Sequence, residues 1–592
     1  MKELNKEERK ILVDCAMDRV ESDLIITNCR IFNVFTKEIY PGEIYIKNGY
    51  IAYIEQREEY FGKGKSIDFY NADGKIVVPG FIDSHMHIES SMLTPQNFSS
   101  LAIPRGTTTI VTDPHEIGNV LGMEGIDYMI EAGKHTYMNQ YVLAPSCVPS
   151  APGLEKSGAS FKSDEIKEIL NKENVLGIAE VMDFYGVINN SPRMVDILDV
   201  TERNNGFMQG HFYGDNPREL SAYLCGGPQS NHEFFSGTDA LNAVRLGMIA
   251  DARDSSFAKN IKSIINGLKG VDTFDRLTLC TDDIESEQLK EEGHLNQCIK
   301  SAIEAGLPFG DAIRSVSIIP AKHFNLKHIG AIAPGYVANL NLIEGDELLV
   351  KVNEVFFEGE LVAKNNKMVK TYLKFDSEIE CRNTIFIDNF DFENLRIKAP
   401  IKNGMINTRV IEYEDSQSLF TLEKISKLPV KDGYLNLENN KELNYISIIN
   451  RHKGCDNSYT GVIEKFHLND GALAGTVSHD SHNLTVVYTN EDDAKIAINE
   501  IKKIKGGIVF VKDGEITKVE LPIAGLLTNL EPDDFIPQVN AMKSVLVKNG
   551  VENDNPIMRL ATSALPAAPV LKITDMGLVN ALTQEFVPLF IL

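Results

Sequence analysis

Residues 23–57 alternate apolar and polar side chains, as in Leu24-Ile25-Ile26-Thr27-Asn28 and Ile44-Tyr45-Ile46-Lys47-Asn48-Gly49. A period of two marks half-buried strands, and Asn48-Gly49 between two such runs predicts a hairpin turn. From residue 76 the texture changes to short apolar runs followed by helical stretches, the alternation of a parallel sheet. Strands are predicted at 77–82, 107–112, 141–144, 175–181, 207–210, about 230–235, 246–251 and 277–281, the sixth on the weakest pattern. Eight strand–helix units in about 250 residues match a (β/α)8 barrel. The β texture returns at 329–362, and residues 380–592 carry strands of their own, such as 445–449 and 507–511. The expected architecture is α/β. A TIM-type (β/α)8 barrel (76–328) interrupts a β-sandwich module (1–75 and 329–375), and a C-terminal α/β domain (376–592) follows.

Candidate chemistry collects at the predicted strand ends. The run from Ile76 to Ile82 ends in Asp83-Ser84-His85-Met86-His87. In extended chain alternate side chains share a face, so His85 and His87 can address one ion. Strand four ends in Glu180, strand five in His211, strand six carries His232-Glu233, and strand eight ends in Asp282-Asp283. A lone strand-end histidine is ordinarily a hydrogen-bonded rim residue, and paired aspartates ordinarily cap a helix, a role open to Asp283. Four histidines with carboxylates at one rim are hard to obtain by chance. Imidazole and carboxylate together suit Zn, Mn or Fe rather than Ca, and this set can hold two ions.

Composition narrows the partners. The 592 residues are 43% hydrophobic and 24% charged, with a net charge of −25. That charge argues against nucleic acid, which is bound by releasing its counterions to basic side chains. The start, Met1-Lys2-Glu3-Leu4-Asn5-Lys6, has no signal-peptide core, and no apolar window is long enough for a membrane span. The eight cysteines are scattered, without a Cys-x-x-Cys pair, and read as reduced thiols. A cytoplasmic protein with no membrane partner is expected, and a homo-oligomer, because closed assemblies are common.

The chain resembles the adenine deaminases of the amidohydrolase superfamily. The resemblance is carried by Pro79-Gly80-Phe81-Ile82-Asp83-Ser84-His85-Met86-His87-Ile88-Glu89-Ser90-Ser91, Asp113-Pro114-His115-Glu116 and Thr281-Asp282-Asp283. It continues through Gly330-Ala331-Ile332-Ala333-Pro334-Gly335, Ser478-His479-Asp480-Ser481-His482 and Leu521-Pro522-Ile523-Ala524-Gly525, so it spans nearly the whole chain. It implies one metal on His85 and His87, a second on His211 and His232, and Glu180 bridging them. Asp282 would complete the first site and take a proton from the attacking water. Manganese is the metal the family suggests, with iron or zinc alternatives. The implied reaction converts adenine, a small purine base, to hypoxanthine and ammonia. Glu89, as a catalytic or substrate-binding group, and Glu116 and Asp283 are candidates for the purine ring. Glu89 and Glu116 serve equally well as carboxylates fixing an imidazole tautomer. His115 is open as a further metal-site residue or, preferred, a rim hydrogen-bonder, and His479-Asp480-Ser481-His482 reads as a wall of the barrel mouth or a subunit interface rather than a triad.

Three segments depart from the family pattern: Phe212-Tyr213-Gly214, Arg253-Asp254-Ser255-Ser256 and Ile284-Glu285-Ser286. They are expected to bear on substrate contacts without touching a ligand. The rival reading is a cyclic-amide hydrolase of the dihydroorotase or hydantoinase kind, or a deaminase of another 6-aminopurine. The former bridges its metals with a carboxylated lysine on strand four, where this chain has Glu180 and no lysine between Val175 and Phe184. The zinc deaminases with a Pro-Cys-x-x-Cys signature are excluded, since Pro145-Ser146-Cys147-Val148-Pro149 lacks the second cysteine.

Overall fold

The computed structural model describes residues 4–56, 65–256, 258–344, 350–372, 375–416, 418, 420–438 and 440–591. Eight short strands form the barrel: β1 (Phe81–His87), β2 (Thr107–Thr112), β3 (Asn139–Ala144), β4 (Val175–Val181), β5 (Phe207–Gly210), β6 (Ser230–Asn231), β7 (Ile249–Arg253) and β8 (Leu277–Cys280). β1 to β5 pair in order and in parallel, as do β6 to β8. The Gln229 amide donates to the Met208 carbonyl at 2.8 Å, joining β5 to β6. The ring closes where Asp282–Asp283 pair with Met86 and His87 of β1.

Three expected strands are corrected. The apolar run 77–82 is not one strand but parts of two. Ile76–Pro79 pairs antiparallel with Leu340–Glu344 and parallel with Ser22–Phe32, inside the nine-stranded sheet of the split β module. The chain changes sheets at Gly80, whose N–H donates to Asn339, while that of Phe81 donates to Gly106. His85 and His87 therefore lie within a barrel strand, not beyond its end. β6 shrinks to two residues, and β7 begins at Ile249 and runs to Arg253 rather than stopping at 251. The predicted hairpin joins Ile39–Lys47 to Tyr50–Glu55. Asn48 and Gly49 take φ of 51° and 81°, the left-handed pair that a two-residue turn of this hand requires.

Close approach of β4 and β5 leaves no room at Gly177, where a Cβ would sit 1.9 Å from the Phe207 carbonyl oxygen. Backbone cannot swing aside as a side chain can. Gly177→Ala is expected to cost about 1–3 kcal/mol or more by forcing these strands apart. An unchanged urea-unfolding midpoint would show that the pair separates freely.

The C-terminal region is built on a ten-stranded sheet containing Leu443–Ile449 and Gly507–Lys512. Helix Glu491–Ile504 covers one face. Asn490 caps it by accepting from the Asp493 amide, acids fill its first turn, and Lys502 and Lys503 fill its last, each matched to the helix dipole. Its Ala494, Ala497, Ile498 and Ile501 recur at helical spacing and pack on Leu484, Val486 and Val509 of the sheet. A second helix, Pro532–Lys548, ties this region to the barrel rim, because the Lys543 ammonium donates to Glu285 at 2.6 Å. Among the described residues no helix is long and apolar enough to cross a membrane.

Candidate active site

The C-terminal ends of the barrel strands deliver His85 and His87 (β1), Glu180 (β4), His211 (after β5), His232 (after β6), Arg253 (β7) and Asp282 (after β8) to one place. All are buried. The structure thus brings together all six residues expected to hold metal.

Each imidazole is oriented from behind. His85 Nδ1 meets Gln209 Oε1 at 2.9 Å, and the Gln209 amide donates in turn to the Ser84 carbonyl at 3.0 Å. His87 Nδ1 donates to the Asp113 carbonyl at 3.0 Å. Both rings therefore carry a proton on Nδ1 and turn Nε2 inward. His85 Nε2 lies 3.0 Å from Asp282 Oδ1, and His87 Nε2 lies 3.4 Å from the same oxygen. Across the cavity, His211 Nδ1 contacts Glu180 Oε2 and lies 3.1 Å from His232 Nε2. Two imidazole nitrogens and a carboxylate oxygen converge on that space.

Electrostatics point the same way. Burial would raise the Glu180 carboxyl, yet His211 and His232 hold it well below the usual range. Burial works on Asp282 likewise and is overcome by Arg253, whose guanidinium bonds Asp282 Oδ2. His87 is pushed up despite its burial by Asp282 and Asp283, whereas burial and the neighbouring His85 drive His232 well down. Carboxylates held ionised beside imidazoles, whose inward protons a cation would displace, have the donor chemistry of a divalent-cation site. Ligand groups lie within reach of one another as His85/His87/Asp282, His85/Glu180/His232 and His211/His232/Glu233. The buried His211 Nε2 and His232 Nδ1 find no hydrogen-bond partner among the described residues.

The other expected residues are placed as follows. Asp283 lines the cavity and accepts from Ser90, so it is not a helix cap; Glu285 occupies the N-cap of Ser286–Glu291. Glu89 and Glu116 are fully buried and absent from the cavity wall. Glu89 accepts from the Ile117 amide at 3.3 Å, and its carboxyl is pushed up to about 8 by burial and by Glu116. Glu116 accepts from Ser90 at 3.2 Å. His115 lines the wall, 3.1 Å from Asp113 and 3.6 Å from Asp480.

Arg253 was expected to leave the ligands untouched, and the structure corrects this. Its guanidinium spans Asp282 and Glu233, the latter at 2.7 Å. It ends a barrel strand, so the strand-end rule that found the histidines applies to it equally. The C-terminal region closes the cavity: His479 and Asp480 stand at the wall, with Met558, Thr562 and Leu565. Ser481 Oγ is bonded by Asn483 rather than by either flanking histidine, which leaves the triad reading without geometry.

The amidohydrolase family model matches residues 76–406, and the adenine deaminase C-terminal domain matches residues 418–585. A protein named adenine deaminase from Clostridium acetobutylicum is 36% identical over 577 residues, covering 97% of this chain and 99% of its own. Adenine deaminase 2 of Carboxydothermus hydrogenoformans is 37% identical, covering 98% of this chain and 99% of its own. A third, from Mesorhizobium japonicum, is 35% identical over 98% of this chain and 96% of its own length. With both regions matched and the barrel rim furnished as described, the chain belongs to the adenine deaminases of the amidohydrolase family.

Proposed function

We propose that this chain hydrolyses adenine to hypoxanthine and ammonia at a pair of divalent ions. The observation that carries the pairing is the stance of Glu180. Its Oε1 lies 3.5 Å from His87 Nε2, and its Oε2 lies 3.3 Å from His232 Nε2, one oxygen facing each half of the site. His85, His87 and Asp282 would hold one ion, His211 and His232 the other, with Glu180 between them. Manganese is the metal we assign, iron and zinc sharing its taste for these donors. Divalent ions so held supply a water acidic enough to attack at neutral pH.

The protein's own groups do the rest. Arg253 keeps Asp282 ionised, so its carboxylate can receive the proton of the attacking water and return it to the ring and the departing amine. Asp283 is assigned to the purine edge, with Glu116 behind it through Ser90 and Glu89 supporting the segment that carries His115. Met558, Thr562 and Leu565 roof the flat ring and limit bulk water. No lysine lines the cavity among the described residues, which disfavours the carboxylated-lysine chemistry of cyclic-amide hydrolases. A small purine as the only organic ligand, no nucleic-acid or membrane partner, a homo-oligomer and a cytoplasmic location complete the proposal.

The test is to load the protein with manganese and follow ammonia release from adenine, adenosine and dihydroorotate. Release from adenine is expected. None from adenine with two metals bound per chain overturns the substrate.

A further inference from the structure

Outside the metal-ligand cluster lies a second, larger chamber. The space at the ligands is about 70 Å³, whereas this outer chamber is about 430 Å³, inside the roughly 300–1,000 Å³ range of small-molecule sites. The two share Tyr213, Glu233, Arg253, Thr562 and Leu565, so they adjoin. The outer chamber sits between the barrel rim and the C-terminal region, with Tyr213 on one side and Phe420 on the other. Phe235 neighbours both rings, 5.9 Å from Tyr213 and 6.4 Å from Phe420 by centroids. Phe235 is 60% exposed and Phe420 43%. Ser418 lines the same chamber, its hydroxyl accepting from the Phe420 amide and able to donate to a heterocycle's ring nitrogen.

We propose that the outer chamber is a second binding subsite for a planar purine base, stacking on Phe420 and Tyr213, through which adenine enters and hypoxanthine leaves. The identity of the base rests on the adenine reading above, but the subsite rests on the chamber's size, aromatic lining and adjacency to the inner cavity. Two consequences follow. At high concentration a second base occupies the chamber while the first is still inside. Truncating Phe420 weakens the outer base alone, by about tenfold for the loss of one stacking face.

The probe is 2-aminopurine, which has no 6-amino group to lose and whose fluorescence is quenched by stacking. The chain contains no tryptophan, so its emission stands apart from the protein's. Titration of the metal-loaded full chain is expected to show two bases per chain with distinct affinities. Phe420→Ala should reduce the count to one in the same concentration range and lower kcat/KM for adenine, and Phe420→Tyr should restore both. One base per chain in the parent protein, or two undiminished sites in Phe420→Ala, overturns the subsite. If the protein releases no ammonia from adenine, the deaminase reading fails separately, and the 2-aminopurine stoichiometry still decides this proposal.

Discussion

Glu180→Gln is expected to lose metal and to lower ammonia release from adenine by about 10³-fold or more, the equivalent of about 4 kcal/mol of transition-state stabilisation. The substitution keeps the shape of the side chain and removes its charge. That charge is the common neighbour of His87, His211 and His232, and it also lies 3.7 Å from His115. Without it, His211 Nδ1 and His232 Nε2 face each other at 3.1 Å with no anion between them, so protonation of one imidazole competes with any cation. Glu180→Asp is the informative companion. It retains the charge on a side chain too short to face both halves, and it should keep one metal more firmly than the other. Metal per chain after gel filtration, measured beside activity, checks the series. Two retained metals and more than a tenth of the activity in Glu180→Gln would remove Glu180 from the bridging role.

The barrel was legible wherever a strand announced itself by its own residues. β2 is a β-branched run buried throughout, and β4 is an apolar run interrupted only by Glu180 and buried from Gly177 onward; both lie where the pattern puts them. Hydrophobicity reports burial, however, and not the partner that does the burying. The run across Pro79-Gly80 is buried throughout, yet half of it belongs to the split sheet and half to the barrel. β6, with two paired residues, leaves almost no periodic signal. The ligand set was legible because the barrel turns a position in sequence, the end of a strand, into a position in space.

Where the site was missed, a boundary error was responsible. With the seventh strand placed at 246–251, Arg253 falls into a loop; with it running to Arg253, the residue stands beside Asp282 at the rim. His479 and Asp480, by contrast, stand at the barrel mouth as expected, although the packing of the C-terminal sheet that brings them there is encoded in no local pattern.

Arg253 is also the residue for which the structure predicts the second large effect. Arg253→Met should lower kcat/KM for adenine by about 10²–10³-fold, comparable to removing one preorganised donor from an active site. It should also destabilise the fold by about 3–5 kcal/mol, because Asp282 and Glu233 are left buried without their cation. One planar guanidinium reaches both carboxylates, Asp282 through Nη1 and Glu233 through Nη2. A lysine offers a single point of charge and cannot span them. Arg253→Lys is therefore expected to recover stability before activity. A structural role alone would move the two together. Added guanidinium ion separates the possibilities further: in Arg253→Ala it should restore part of kcat while leaving KM nearly unchanged, since the cation's task is to hold Asp282 ionised and in place. If Arg253→Lys matches the parent in kcat, or guanidinium rescues nothing in a folded, metal-loaded Arg253→Ala, then the fork between Asp282 and Glu233 has no part in positioning the proton acceptor.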